Sequence, residues 1–384
     1  MTGAEQLRAM LGANHVTHVP GIYDPVTAAL AVQAGHRVAH LSGAAVSALM
    51  LGRPDLGFVH ATQIADRATT LVPALDGAPL IADADTGYGN PLHAVWTGHA
   101  YVRAGISGLH LEDQVSPKRC GHLAGKEIID AGLAAAKINA LATEVPELAL
   151  IARTDAYAVG GLPEVIARCR AFAEAGADAV FPEGVDDPNE LAELHAAIPG
   201  VPIVLNRSEA AGNRPVATDA DLAAVGVRMV LHPVAALLAA LRAASQVYRQ
   251  IAETGSAEPI DRLPWAAFTA LVGQQEALDL DARYRPPGQA ADYTGPSEEI
   301  GYVPPSQPTG YTSSGNFHGY TPPGPSGGQA PGHHHASASP GASGGQAPGH
   351  FHAEQPPGNP GFTPPRQSGG ESPDDRYTFG RLQT

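Results

Sequence analysis

The stretch "PLIADADTGYGNPLHAVWTGHAYVRAGISGLHLEDQ", residues 79–114, reads as a strand, a helix and a second strand. Its outer runs, "PLIADADTG" (79–87) and "GLHLEDQ" (108–114), are short and largely apolar until they end on carboxylates. The longer segment between them closes on Ala-Gly, as a helix does when glycine takes the left-handed position past its end. The same rhythm runs outward in both directions. Apolar runs recur at "VTHVPG" (16–21), "RVAHLSG" (37–43), "LALIARTDA" (148–156), "AVFPEG" (179–184), "PIVLNRS" (202–208) and "RMVLHPV" (228–234), which with the first two makes eight. Alanine-rich segments such as "PVTAALAVQAG" and "LPEVIARCRAFAEAGAD" lie between them. Eight strand–helix units in roughly 250 residues predict a (β/α)8 TIM barrel, here over residues 1–285. A doubly wound open sheet is the alternative, but no glycine fingerprint follows the first strand.

From Pro286 onward the composition shifts to Pro, Gly, Ser, Gln, Thr and His, and "SGGQAPGHHH" (326–335) recurs as "SGGQAPGHFH" (343–352). Such a segment cannot bury enough apolar surface to offset its ordering entropy, so residues 286–384 are expected to form a disordered low-complexity tail. Its end, "DDRYTFGRLQT", groups Tyr377, Phe379 and Leu382 after a long tether, which suits either a frayed terminus or docking to an unidentified partner protein. Across the whole chain 43% of residues are hydrophobic, enough for a sizeable core. With 23 basic against 38 acidic side chains the formal charge is -15, which disfavours nucleic acid or an anionic membrane as partner. Two cysteines and no run of about 18 apolar residues predict a cytoplasmic protein without a disulfide framework.

A barrel gathers its active site at the C-terminal ends of its strands, and the polar residues of this chain fall there. They are Ser42, Asp83, Asp85, Glu112, Asp113, Arg153, Asp155, Glu183 and Asn206. The two-residue period puts Asp83 and Asp85 on one strand face, with Glu112 offered by the neighbouring strand. Carboxylates in that number suit Mg2+ held partly through water. Any one of them could instead cap a helix or pair with Arg153. After the fourth strand, "VSPKRCGHLAGK" (115–126) carries a proline and two glycines and is expected to be exposed and mobile. Lys118, Arg119 and His122 flank Cys120 there, an arrangement expected to lower the thiol's pKa and fit it for proton transfer. Cys169 falls on an apolar helix face and reads as core.

Taken in order, "PGIYDPVTAALAVQAG", "LSG", "GRPDLG", "DADTGYGN", "HLEDQVSPKRCGH", "ARTDA" and "FPEG" resemble the isocitrate lyase and phosphoenolpyruvate mutase superfamily, especially its methylisocitrate lyase branch. The resemblance runs from about residue 5 to 285 and leaves out the tail. It implies a Mg2+-dependent barrel, with Mn2+ as the alternative ion, that makes or breaks a carbon–carbon bond beside an oxo or hydroxy acid. It also implies a homotetramer in which the last helix is exchanged between neighbouring subunits. Residue by residue, it implies that Ser42, Gly43 and Arg153 grip the pyruvate-like half of a small carboxylate substrate. Asp55, Asp83, Asp85 and Glu112 would hold the metal directly or through waters, while Glu183, Asn206 and Ser208 shape the pocket. Gly121 and His122 would close on the other carboxylate, and Cys120 would donate a proton to the carbanion-like fragment.

The chain also departs from that pattern. His40 stands where the resembled enzymes carry a tyrosine, and becomes the expected handler of the substrate hydroxyl proton. Leu238 stands where they carry an arginine that clamps a distal carboxylate, a loss of about 1.5–3 kcal/mol. Either Arg207, in the strand-seven loop, compensates, or the substrate is smaller. The expected activity is cleavage of a 2-hydroxy di- or tricarboxylate of the 2-methylisocitrate type to pyruvate, or a related 2-oxo acid, plus a dicarboxylate. Dimethylmalate lyase-like cleavage and oxaloacetate hydrolysis are alternatives; phosphonomutase chemistry is disfavoured because those mutases generally lack the cysteine. From another class, the barrel could be a scaffold that docks through its tail.

Overall fold

The computed structural model describes residues 1–211 and 217–285; the segment 286–384, expected to be a tail, lies outside the described residues. Strands form at all eight apolar runs: β1 (Thr17–Pro20), β2 (Ala39–Leu41), β3 (Leu80–Asp83), β4 (Gly108–Glu112), β5 (Ala149–Thr154), β6 (Ala179–Pro182), β7 (Ile203–Asn206) and β8 (Val227–His232). Neighbours pair in parallel in the order β1-β8-β7-β6-β5-β4-β3-β2. The ring closes where Gly21 bridges His40 and the Ile22 amide donates to the His40 carbonyl at 2.9 Å. The result is the (β/α)8 barrel that the spacing predicts. Glycine is needed at the closure, because a Cβ on Gly21 would stand 1.9 Å from the Pro233 carbonyl oxygen.

Strands covered on both faces need apolar residues throughout, which is why they read as continuous runs. Inward residues, among them Val38, Ile81, Ile151, Val204 and Met229, pack with Leu7 and Leu11 of the helix Gly3–Leu11. Outward residues pack beneath the surrounding helices, where Ile64, Tyr101, Phe172 and Leu194 are buried. The helices Pro25–Gln33, Pro91–Arg103 and Tyr157–Glu174 end at Ala34, Ala104 and Ala175, each followed by a glycine at positive φ. The third begins earlier than its sequence suggests and breaks at Gly161, with Pro163 opening the stretch that was legible.

Alternation along the strands builds the site. Two residues beyond the inward-facing Val38, Ile81, Ile151, Ala179, Val204 and Met229 come His40, Asp83, Arg153, Phe181, Asn206 and Leu231, on the same face and at the strand ends. After the barrel come Ala235–Thr254, Trp265–Leu271 and Gln274–Tyr284; the last two bury none of their residues, and Trp265, Leu280 and Tyr284 are exposed. No described helix is long and apolar enough to cross a membrane.

Candidate active site

The strand ends and the loop after β4 enclose a cavity of about 310 Å³. His40, Ser42, Asp55, Asp83, Arg153, Glu183, Asn206 and Ser208 line it from the barrel and its loops, and Cys120, Gly121 and His122 line it from the loop after β4. Arg207 is not among the lining residues. It follows the inward Asn206 by one position, its amide donates to the Leu231 carbonyl, and its charge acts on His232 instead. Leu238 does reach the cavity, where it joins Leu231, Pro233 and Val234.

Arg153 is the organising cation. Its Nε donates to Asp155 Oδ2 at 2.8 Å and its Nη2 to Asp155 Oδ1 at 3.1 Å. Glu112 Oε2 lies 3.3 Å from Nε and Glu183 Oε2 lies 3.9 Å from Nη2, while the guanidinium carbon sits 5.2 Å from the centre of the Phe181 ring. Burial opposes its charge, but Asp155, Glu112 and Glu183 outweigh burial and keep it protonated. Asp155 is fixed in turn by Asp113, whose Oδ1 accepts its backbone N–H and whose Oδ2 accepts from the Thr154 hydroxyl and Arg168. Two of the nine strand-end polar residues therefore act as supports behind Arg153.

The four acids expected to hold a metal surround one ammonium. Lys118 Nζ lies 2.5 Å from Asp55 Oδ1 and 3.3 Å from Asp85 Oδ1. Asp83 Oδ1 accepts from the Asp85 amide and Oδ2 from the Gly43 amide, at 3.0 and 3.1 Å. Although burial raises it, His110, Lys118 and Arg153 hold Asp83 well below the usual carboxylate range. Burial, and then the neighbouring Asp83, push Asp85 up to about 7. Glu112 is raised strongly, by burial first, and neither of its buried oxygens has a hydrogen-bond partner. The unpartnered Glu112 oxygens and the raised Asp85 carboxyl, beside the ionised Asp83, are hard oxygen donors that fit a hydrated dication such as Mg2+. Among the described residues no three His, Cys, Asp or Glu stand close enough to ligate an ion directly, so waters would complete the shell.

Most of the loop 115–126 is exposed, as expected, but its two lysines are buried and its thiol is not favoured as the thiolate. Lys118 and Lys126 are buried, and Gly121 lies against the barrel: a Cβ there would stand 2.6 Å from Glu183 Oε1 and 3.0 Å from Arg153 Nη2. Lys118 turns to the acids, and the backbone of Arg119 is held by the Gln114 amide group. Cys120 Sγ lies 3.7 Å from His122 Nδ1. Burial raises the thiol, and Asp55 adds to this, against smaller opposing effects of the His122 amide and Lys118. Cys120 is therefore a protonated thiol at neutral pH, the form a proton donor requires. Cys169 is fully buried, as its helix face predicts.

His40 touches a residue that sequence reasoning passed over. Its Nε2 lies 2.9 Å from His110 Nε2, and His110 Nδ1 lies 3.6 Å from Asp83 Oδ1. The signal was present: His110 precedes Glu112 by two positions, so both face inward. Burial, then His110, lowers His40 to about 3. Between pH 6.5 and 3 the unfolded chain binds a proton at this residue that the folded one does not, so stability is lost as pH falls through that window. His40→Tyr is expected to narrow the difference in urea stability between pH 7 and pH 4.5 by about 2 kcal/mol. An unchanged difference would show that the imidazole is not held neutral.

Comparison with known proteins bears on the same region. A family model described as phosphoenolpyruvate phosphomutase matches residues 7–252. The 2-methylisocitrate lyase of Bacillus subtilis (strain 168) is 40% identical over 253 residues, covering 66% of this chain and 83% of that protein. The 2,3-dimethylmalate lyase of Eubacterium barkeri is 32% identical over 288 residues, covering 74% of this chain and 99% of that protein. The solved structure of oxaloacetate acetylhydrolase in complex with 3,3-difluorooxalacetate superimposes with a TM-score of 0.69 at 33% identity, covering 73% of this chain and 97% of that one.

Proposed function

The chain belongs to the phosphoenolpyruvate mutase and isocitrate lyase superfamily and is a carbon–carbon lyase, and we propose that it cleaves a 2-hydroxy di- or tricarboxylate of the 2-methylisocitrate type to pyruvate, or a related 2-oxo acid, and a second acid. The observation that carries this reading is that Arg153, from the barrel, and Cys120, from the loop after β4, line the same cavity.

Arg153, with Ser42 and the Gly43 turn, binds and orients the carboxylate of the 2-oxo half. Asp55, Asp83, Asp85 and Glu112 would hold Mg2+, directly or through waters. When bound, the dication supplies stabilisation for negative charge developing on the substrate's hydroxyl oxygen. His40 is neutral and accepts the hydroxyl proton, its basicity raised by the anionic substrate it faces. As the carbon–carbon bond breaks, the hydroxyl carbon becomes the carbonyl of the 2-oxo acid. The bonding pair passes to the other fragment, and the Cys120 S–H delivers the proton that completes it. Gly121 and His122 close over the fragment and exclude water.

A second reading has its own observation. Where the resembled enzymes place an arginine, Leu231, Pro233, Val234 and Leu238 present an apolar wall, which suits a smaller acid such as 2,3-dimethylmalate or oxaloacetate. A panel of 2-methylisocitrate, 2,3-dimethylmalate and oxaloacetate, each supplied with Mg2+, separates the readings. Pyruvate is expected from 2-methylisocitrate; pyruvate from 2,3-dimethylmalate alone selects the smaller lyase substrate. Oxalate from oxaloacetate without pyruvate from either of the others overturns the proposal.

The same family reading extends to assembly. Among the described residues, the helices Trp265–Leu271 and Gln274–Tyr284 have no buried residue, and they are proposed to pack on a neighbouring subunit of a homotetramer. Light scattering on the eluted protein reads the mass directly, and a monomer refutes the exchange.

A further inference from the structure

We propose that Lys126 is a positioning residue, a latch that holds the loop after β4 closed and couples its closure to the aim of Arg153. Lys126 Nζ donates to the Gly121 carbonyl at 2.7 Å and to Asp155 Oδ1 at 2.8 Å. Its side chain is 3% exposed. The base of the loop is pinned separately, by the bridge between Gln114 and Ile128 and by the Val115 amide donating to the Glu127 carbonyl. Lys126 therefore acts inside the loop, five residues past Gly121, and fastens the tip rather than the stem. The incoming arm has its own cation, Lys118, turned to Asp55 and Asp85.

Two physical facts make this more than a structural contact. First, a buried ammonium is tolerated only while its donors are matched, and Lys126 is matched by one oxygen of the tip and one of the barrel. Lifting the tip removes the first and exposes the second, so closure and the ion pair stand or fall together. Second, the barrel oxygen belongs to Asp155, which also orients Arg153 through two hydrogen bonds. A carboxylate arriving on Arg153 shares the guanidinium charge with Asp155 and leaves that acid more available to Lys126. Binding at Arg153 thus tightens the loop. This coupling rests on the reading of Arg153 as a carboxylate site; the latch itself does not. Gly121 permits the arrangement, since any side chain would strike Glu183 and Arg153.

The test compares wild type, Lys126→Met and Lys126→Arg as full chains with Mg2+, using oxalate as the carboxylate probe. Opening is read by hydrogen exchange across residues 116–125 and by alkylation of Cys120 with N-ethylmaleimide; Cys169, fully buried, stays silent. Lys126→Met is expected to exchange and alkylate at least tenfold faster, and Lys126→Arg to stay within threefold of wild type. Oxalate should slow both processes in wild type and Lys126→Arg but not in Lys126→Met. If Lys126→Met does not fold, Lys126→Gln, shorter and uncharged, takes its place with the same expectation. Equal rates in wild type and the Met or Gln variant overturn the latch. Faster opening in Lys126→Met with no oxalate effect in any variant upholds the latch and sinks the carboxylate reading of Arg153.

Discussion

Cys120→Ser is expected to fold, to bind Mg2+ and oxalate as the wild type does, and to lose about 10²- to 10⁴-fold in kcat, the usual contribution of a positioned proton donor. Serine keeps the size and the site but offers a far weaker acid. The thiol's environment favours this role over nucleophilic attack: burial and Asp55 keep the proton on sulfur, against the smaller pull of Lys118 and the His122 amide. A nucleophile would need the opposite balance. Turnover of the acid identified by the panel, measured beside calorimetric oxalate binding, separates chemistry from assembly of the site. Wild-type kcat in the serine variant eliminates Cys120 as the donor, and loss of oxalate binding in step with kcat would show that the substitution damaged the pocket instead.

The barrel was legible because its strands are covered on both faces and so appear as uninterrupted apolar runs, several of them broken where a polar residue such as His40, Asp83, Arg153 or Asn206 meets the cavity. The inward set His40, Asp83, Arg153 and Asn206 follows from the two-residue period alone. The same rule, applied one residue further, would have turned Arg207 away from the cavity and drawn His110 into it. The direction of the loop side chains was not legible. Lys118 closes "VSPK" (115–118), and only its through-space partners, Asp55 before the third strand and Asp85 just after it, decide that it serves the acids and not the thiol. Asp113 and Asp155 looked like site carboxylates by position, yet their oxygens are taken by Thr154, Arg168, Arg153 and Lys126. Position along a strand tells which way a residue points; it does not tell whether a hydrogen-bond partner reaches it first.

Arg153→Met tests that arrangement most severely. The methionine fills much of the same space, so the expected loss comes from charge: Asp155 loses two hydrogen bonds, and Glu112 and Glu183 lose their nearest cation within a buried site. Breaking a buried pair from one side typically costs about 3–5 kcal/mol, and oxalate binding should vanish with the guanidinium. Lys126 still faces Asp155, which sets the loss toward the lower end of that range. The pH dependence identifies the cause. Glu112 already has a raised folded-state pKa, and removing Arg153 raises it further. A carboxyl raised in the fold contributes stability below its unfolded value and loses it as pH rises through the folded one. The deficit of the variant should therefore shrink as pH is lowered from 8 toward 5, where protonation discharges Glu112. Arg153→Lys keeps the charge but not the two-pronged geometry, and should recover stability more fully than oxalate binding. Urea denaturation across that pH range reads the result, and a deficit below about 1 kcal/mol, or one that does not change with pH, would mean that the acids are not held by Arg153.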